Sequence, residues 1–158
     1  LQRTFCERRL RAMARPFGSI EVMFARAREI AQSMPLDERL ELIDAHPRLG
    51  APPATVSALS HAEQGYDARP PMTGGGDEGE ALEARRVADE LARLNDAYEA
   101  QFGFRYCVFV AGRPRAALLP DMAAALDRDR GAELQRALDA VVDIAIDRHA
   151  KLSPEATP

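Results

Sequence analysis

Apolar residues recur at intervals of three and four along much of this chain, and this spacing constrains its fold more than any other feature. The clearest example lies between Glu80 and Gln101, where Leu91, Leu94 and Tyr98 are followed by a phenylalanine at position 102. This period places the apolar side chains on one face of an α-helix, and the glycine at position 103 is typical of a helix C-terminus. We therefore predict a mainly α-helical protein.

The same spacing predicts further helices, separated by proline and glycine. Ser19 is a candidate N-cap for a helix whose apolar stripe extends to Met34. Pro35 starts the next helix, which should end near His46 because Pro47 disfavours helical geometry in the residue before it. Further helices are expected over residues 4–13, from residue 60, and over residues 116–126 and 132–151. The apolar stripe of the last helix consists of Leu134, Leu138, Val141 and Ala145.

The segment from Phe104 to Val110 does not follow the helical period. Its sequence, FRYCVFV, is aromatic and β-branched, so local rules predict a strand. A single strand has no evident pairing partner in an otherwise helical chain, which argues against that interpretation.

The stretch from Gly65 to Glu80 holds five glycines, two prolines and an acidic cluster. We interpret it as a flexible linker at about residues 65–80. The 158 residues are consistent with a single domain that covers the whole chain.

Charge and cysteine content exclude several classes of function. The net charge of −4 argues against a general nucleic-acid or anionic-membrane binder, which would be basic. No apolar run approaches the roughly 18 residues of a membrane span. Cys6 and Cys107 lie far apart and the histidines lack metal-ligand spacing, so we expect free thiols, a cytoplasmic location and no metal site.

Two residues and one short motif are candidates for catalysis or ligand binding. His46 continues the apolar stripe of Ile43 and could act as an acid or base, or be a hydrogen-bonded structural histidine. Arg148 follows Val141 by seven residues, so its charge needs a ligand or partner, or must reach solvent near the helix end. The pattern Ser-His-Ala-Glu at residues 60–63 is either a structural capping box or a helix N-terminus suited to an anion.

Several short motifs follow one another along the chain. They are His46-Pro47-Arg48-Leu49-Gly50, Ser60-x-x-Glu63-Gln64, Leu94-Asn95-x-x-Tyr98-x-x-x-Phe102-Gly103-Phe104, Gly112-Arg113, Glu133-Leu134 and Ile144-x-x-x-Arg148. Taken in this order, they resemble one family, the 2-oxo-4-hydroxy-4-carboxy-5-ureidoimidazoline (OHCU) decarboxylases of urate breakdown. The resemblance covers roughly residues 5–152.

The resemblance implies an all-α, single-domain helical bundle that forms a homodimer and uses no cofactor. It implies conversion of OHCU to (S)-allantoin with loss of CO2, and a non-strand connection at residues 104–110. The catalytic positions fall on His46, Glu63 and Arg148. The substrate-binding positions fall on Pro47, Ser60, His61, Ala62, Gln64, Tyr106, Cys107, Val108, Phe109 and Val110.

The sequence departs from the family pattern at a few positions near these motifs. Arg105 and Tyr106 stand where the family often has proline and phenylalanine, and His149 stands where leucine is usual. These changes bear on substrate preference more than on reaction type. The alternative hypothesis is a non-catalytic helical interaction or ligand-binding module with the same fold.

Overall fold

The computed structural model of this protein describes residues 17–51 and 78–152. Within these ranges the chain forms helices α1 (Ile20–Ser33), α2 (Leu36–Asp44), α3 (Glu78–Phe102), α4 (Leu119–Ala125) and α5 (Arg130–Leu152). A 3-10 helix over Arg115–Leu118 precedes α4. The described residues contain no strand, which confirms the prediction of an all-α fold. The helices predicted over residues 4–13 and from residue 60 lie outside the described residues.

Helix α1 begins at Ile20, directly after its N-cap residue Ser19, as the sequence predicts. The Ser19 hydroxyl accepts a hydrogen bond from the Val22 backbone N–H at 3.3 Å, and this satisfies one of the N–H groups that a helix start leaves unpaired. Ala27, Ile30 and Ala31 form its buried face. Helix α2 starts directly after Pro35 and ends two residues before His46.

The proline at position 120 explains why the helix predicted over residues 116–126 is divided. The chain first forms the 3-10 helix and then α4, which places Pro120 in the first turn of α4. A proline is tolerated there because the first N–H groups of a helix have no intrahelical partner. The sequence therefore predicts the helical segment correctly but not its division.

The local prediction of a strand at Phe104–Val110 is wrong. Phe104 and Tyr106 are buried, and both rings pack edge-on against Tyr98 of α3, with centroid separations of 5.7 and 5.1 Å. Aromatic and β-branched residues are favoured in strands because they pack well on a half-buried surface, and here a helix supplies that surface instead.

Three of the four residues predicted to form the buried stripe of α5 are buried. Leu134, Leu138 and Val141 are buried as expected, but Ala145 is exposed and Ile144 takes its place. An apolar face about 100° wide includes positions three and four residues apart, and the sequence spacing alone does not distinguish Ile144 from Ala145.

The described residues fall into two compact units. The first consists of residues 17–46, Cys107–Phe109 and residues 131–152. Within it, Arg28 of α1 donates to Asp139 and Asp143 of α5 at 3.0 and 2.7 Å. These hydrogen bonds raise the pKa of Arg28, with the bond to Asp143 as the largest cause. The interior of this unit is formed by Ala27, Ile30, Ala31, Met34, Ile43, Leu134, Ala137, Leu138, Val141, Val142 and Ile144.

The second unit consists of residues 47–51, residues 78–106 and Val110–Arg130. Helix α3 is its longest element, and the Gln101 side chain donates to the Leu126 carbonyl after α4 at 2.6 Å. Its interior is formed by Leu49, Leu91, Leu94, Tyr98, Phe102, Phe104, Leu118, Met122 and Ala125.

The N-terminus of α3 limits the predicted linker. The helix begins at Glu78, so the last three residues of the interval 65–80 are helical and residues 65–77 lie outside the described residues. No helix in the described ranges has the length and apolar character needed to cross a membrane.

Candidate active site

His46 lies immediately after Ala45, the C-cap of α2, and the end of that helix fixes its environment. Its backbone N–H donates to the Ile43 carbonyl at 3.0 Å, and ring Nδ1 lies 3.2 Å from the Leu42 carbonyl oxygen. Because a carbonyl oxygen only accepts, Nδ1 carries the proton in this hydrogen bond. In the neutral ring Nε2 then holds the lone pair, which makes it the atom of His46 suited to accept a proton.

Arg148 lies on α5, seven residues after Val141 and four after Ile144, both of which are buried. Arg148 itself is half-buried, so it continues the inward face of the helix. The next residue, His149, packs edge-on against Phe24 of α1, with ring centroids 5.8 Å apart. Arg148 and His46 both belong to the first unit.

The second predicted catalytic position and its neighbours are not described by the structure. Glu63, and the substrate-binding positions Ser60, His61, Ala62 and Gln64, lie outside the described residues. Their assigned roles remain predictions of the family resemblance.

The predicted substrate-binding segment Tyr106–Val110 is an irregular connection, as the resemblance implies. Tyr106, Cys107 and Val110 are buried, whereas Val108 and Phe109 are half-buried. Cys107, Val108 and Phe109 belong to the first unit, and the flanking residues belong to the second. Cys107 forms no disulfide.

A charged pair on α5 holds the backbone of this segment at Cys107. The Glu133 carboxylate accepts from Nε of Arg136 at 2.9 Å, and Nη1 of Arg136 donates to the Cys107 carbonyl at 2.9 Å. The Glu133 side chain is 1% exposed and that of Arg136 is 27% exposed. A buried carboxylate is costly unless it is paired and hydrogen-bonded, and Arg136 meets that need.

The loop after His46 is held against α3 by Arg48. Its guanidinium binds both carboxylate oxygens of Glu99, at 2.7 and 2.6 Å, and one oxygen of Asp96 at 2.9 Å. The hydrogen bond to Glu99 is the main reason that the pKa of Arg48 is raised, against a smaller opposing effect of burial. Arg48 thus acts as a fixed positive charge that holds the loop.

Asn95 on α3 provides a second connection to the same loop. Its side-chain amide donates to the carbonyls of Leu49 and Leu91, at 2.9 and 2.8 Å, and the residue is only 2% exposed. Beside it lies a groove of about 400 Å³. The groove is lined by Pro47, Arg48, Leu49, Gly50, Ala51, Ala88, Leu91, Ala92, Asn95 and Arg105.

Sequence reasoning did not predict the hydrogen bonds that Asn95, Glu133 and Arg136 form. The first two carry a detectable signal, because they interrupt an apolar stripe at helical spacing. Asn95 lies four residues after Leu91 and three before Tyr98, and Glu133 lies four residues before Ala137. A polar residue at such a position is buried and therefore needs a hydrogen-bonding partner.

The described residues offer no site for a metal ion. Across residues 17–51 and 78–152, no three His, Cys, Asp or Glu side chains lie close enough together to coordinate one.

Comparison with known proteins identifies close similarity to one family. The family model described as OHCU decarboxylase matches residues 4–150. The chain is 28% identical over 132 residues to the 2-oxo-4-hydroxy-4-carboxy-5-ureidoimidazoline decarboxylase of Haloferax volcanii, covering 84% of this chain and 71% of that protein.

Two longer relatives match over a part of their length. The uric acid degradation bifunctional protein PucL of Bacillus subtilis is 28% identical to this chain over 144 residues. The uric acid degradation bifunctional protein of another Bacillus species is 26% identical over 134 residues. The alignments cover 91% and 85% of this chain. The chain spans about a quarter of these bifunctional proteins, 27% and 24% of their lengths.

A solved structure shows the same fold. The crystal structure of an OHCU decarboxylase in the presence of (S)-allantoin superposes with a TM-score of 0.65 at 22% identity, covering 95% of this chain and 91% of that chain. Together with the family match over residues 4–150, the comparisons show that the chain belongs to the OHCU decarboxylase family.

Proposed function

We propose that this protein decarboxylates OHCU to (S)-allantoin in urate degradation, without a cofactor. The observation that carries the proposal is the state of His46, whose Nδ1 is held by the Leu42 carbonyl so that Nε2 is the basic nitrogen. The family match over residues 4–150 and the relatives that act in uric acid degradation support the same reaction. That match also supports treating residues 1–158 as one domain.

The substrate carries most of the chemistry that the reaction needs. OHCU bears a hydroxyl and a carboxylate on one ring carbon, next to a carbon that is doubly bonded to nitrogen. When CO2 leaves, the electron pair of the broken bond forms a carbon–carbon double bond, and the imine pair moves to nitrogen, which takes up a proton from water. Because the substrate provides this electron sink, the enzyme has to position the ring, stabilise developing charge and direct a proton.

His46 is the proposed acid and base in this sequence. Nε2 takes the proton of the hydroxyl group as the carboxylate departs, and the imidazolium then donates a proton to the carbon that carries the ureido group. Donation from one side gives a single enantiomer of allantoin. The hydrogen bond from Nδ1 to Leu42 holds the ring in one orientation during both transfers.

Arg148 and Glu63 are the other proposed catalytic residues. A tight ion pair between Arg148 and the departing carboxylate would stabilise the ground state and slow the reaction. We therefore assign Arg148 to an oxygen that gains charge in the transition state, and Glu63 to the ureido N–H groups or to His46. The proposed substrate contacts come from Pro47, Ser60, His61, Ala62, Gln64 and residues 106–110.

Circular dichroism of the product tests the proposal. OHCU is generated from urate with urate oxidase and hydroxyisourate hydrolase, the protein is added, and the (S)-allantoin signal is followed. We expect rapid signal growth with the wild type and a rate about 10²–10⁴ lower with His46→Ala. The control is Arg93→Lys, at an exposed residue of α3 that pairs with Glu90 outside every proposed site, and it should retain full activity.

Two results of this measurement would contradict the proposal in whole or in part. A wild-type rate equal to spontaneous decay would reject the decarboxylase activity and favour a non-catalytic ligand-binding module with this fold. A fully active His46→Ala variant would leave the reaction in place but remove the role of His46.

We also propose that the protein is a cytoplasmic homodimer. The family resemblance supports the dimer, and a Cys107 that forms no disulfide is consistent with a reducing compartment. Light scattering coupled to gel filtration measures the assembly, and a mass of 17.3 kDa for the eluting species would reject the dimer.

A further inference from the structure

The Cys107–Val108 peptide lies within the proposed substrate-binding segment, and its orientation is set from outside that segment. The Cys107 carbonyl accepts a hydrogen bond from Nη1 of Arg136 at 2.9 Å. In a trans peptide the C=O and the following N–H point in opposite directions. The Val108 N–H is therefore directed away from Arg136 and from the α5 face that carries it.

The Val108 N–H has no hydrogen-bond acceptor among the groups that the structure describes. Val108 is half-buried as a residue. A backbone N–H without an acceptor in the protein is usually satisfied by a ligand or by ordered water. The same property makes it a suitable donor to a substrate oxygen.

Glu133 fixes the arginine that sets this orientation. Its side chain is 1% exposed and it binds Nε of Arg136, which leaves the Nη1 edge of the guanidinium directed at Cys107. The planar guanidinium allows the two hydrogen bonds to share one rigid group. Arg28 provides a contrast, because its bonds to Asp139 and Asp143 join α1 to α5 without contacting the segment at 107–109.

We propose that Arg136, held by the buried carboxylate of Glu133, is a positioning residue that fixes the Cys107–Val108 peptide and directs the Val108 N–H at bound substrate. This inference rests on the proposed decarboxylase function. Arg136 acts through the peptide and does not touch the reacting atoms. A variant that keeps a positive charge beside Glu133 should therefore affect turnover and ligand binding more than it affects folding.

The first test is the variant Arg136→Lys, which keeps a positive charge beside Glu133. It loses the planar guanidinium that donates to Glu133 and to the Cys107 carbonyl at the same time. We expect kcat/KM for OHCU to fall by about 10- to 100-fold, the size of effect that follows from small misplacement of a site. The matched control is Arg28→Lys, which weakens an arginine pair on the same helix and should keep the wild-type kcat/KM.

The second test is an NMR titration with (S)-allantoin as the probe. In the wild type we expect the ¹⁵N–¹H signal of Val108 to shift on binding. In Arg136→Lys the free signal should already be displaced, and the shift on binding should be smaller. If Arg136→Lys does not fold, the double variant Glu133→Gln with Arg136→Gln removes both charges, and its shorter side chain at position 136 should give the same losses.

These measurements separate the two proposals. An active wild type with unchanged kcat/KM and an unchanged Val108 signal in Arg136→Lys overturns the positioning role alone. An equal loss of kcat/KM in Arg28→Lys also overturns it, because the effect would then be general. A wild type without turnover overturns the proposed function together with this inference.

Discussion

The side-chain amide of Asn95 donates a hydrogen bond to the main-chain carbonyl of Leu49 at 2.9 Å, and so joins the middle of α3 to the loop that follows His46. The same amide donates to the Leu91 carbonyl within α3 at 2.8 Å. Both hydrogen bonds use the NH2 group, and the residue is 2% exposed. A buried group with two donor bonds to carbonyls cannot be replaced by an acceptor without cost.

The substitution Asn95→Asp tests this relationship. At neutral pH it places a buried carboxylate against two carbonyl oxygens, and we expect a loss of about 3–5 kcal/mol in the free energy of unfolding. Burial against two carbonyl oxygens raises the carboxyl pKa in the folded state above its unfolded value of about 3.9. The folded variant then binds more protons than its unfolded chain does. The stability deficit of Asn95→Asp relative to the wild type should therefore shrink as the pH falls through the folded pKa.

Urea denaturation of wild type and Asn95→Asp at several pH values measures this difference. Asn95→Ala is the control, because it removes the same donors without adding a charge and its deficit should not follow that pH dependence. A deficit in Asn95→Asp that is independent of pH would show that the new carboxylate reaches solvent.

The ion pair between Arg48 and Glu99 gives a second, smaller prediction. Arg48→Lys cannot form the two-pronged contact, and the side chains of Arg48 and Glu99 are 40% and 27% exposed. At that exposure we expect a loss of about 1 kcal/mol. Asp96→Asn should cost less, because Asp96 is 71% exposed and makes one contact to Arg48.

A double-mutant cycle with Arg48→Lys and Glu99→Gln isolates the pair, with thermal or urea unfolding as the measurement. A coupling free energy near zero would mean that Arg48 holds the loop by other contacts.

The sequence predicts the helices well because their signals are local. The Ser19 cap, the apolar stripe that follows it and the proline before α2 each act within one or two helical turns. The boundaries of α3 and α5 differ from prediction by about two residues at most, which is the usual uncertainty of helix ends.

The sequence-based predictions fail where contacts between different elements determine the conformation. The segment Phe104–Val110 has strand composition, but Tyr98, in the last turns of the preceding helix α3, gives its aromatic rings a surface to pack against. The role of Arg136 depends on Cys107, which lies 29 residues earlier, and helical periodicity carries no information on that pairing. The catalytic role proposed for His46 comes from the family resemblance, whereas its tautomer required the position of the Leu42 carbonyl.

Gly50 provides a prediction about backbone conformation. Its φ is +82°, and a Cβ added there would lie 3.0 Å from Cδ1 of Leu91. Gly103 has a similar φ of +76°, but a Cβ there would meet no described atom within 4 Å. Both alanine variants carry the left-handed penalty of about 1–2 kcal/mol. Gly50→Ala should cost roughly 1–3 kcal/mol more, because Leu91 is buried and must move.

Urea unfolding of the two variants measures the difference. Alanine reduces the freedom of the unfolded chain equally in both, so that effect cancels in the comparison. Equal losses would mean that the Leu91 side chain moves aside freely.

The tautomer of His46 gives a prediction that bears directly on catalysis. Because Nδ1 donates to the Leu42 carbonyl at 3.2 Å, the neutral ring should carry its proton on Nδ1 and present an unprotonated Nε2. The ¹⁵N resonances of the ring, assigned by their absence from the spectrum of His46→Ala, distinguish the two nitrogens. If the neutral ring instead carried its proton on Nε2, that atom could not take the hydroxyl proton of OHCU, and the role proposed for His46 would have to pass to another group.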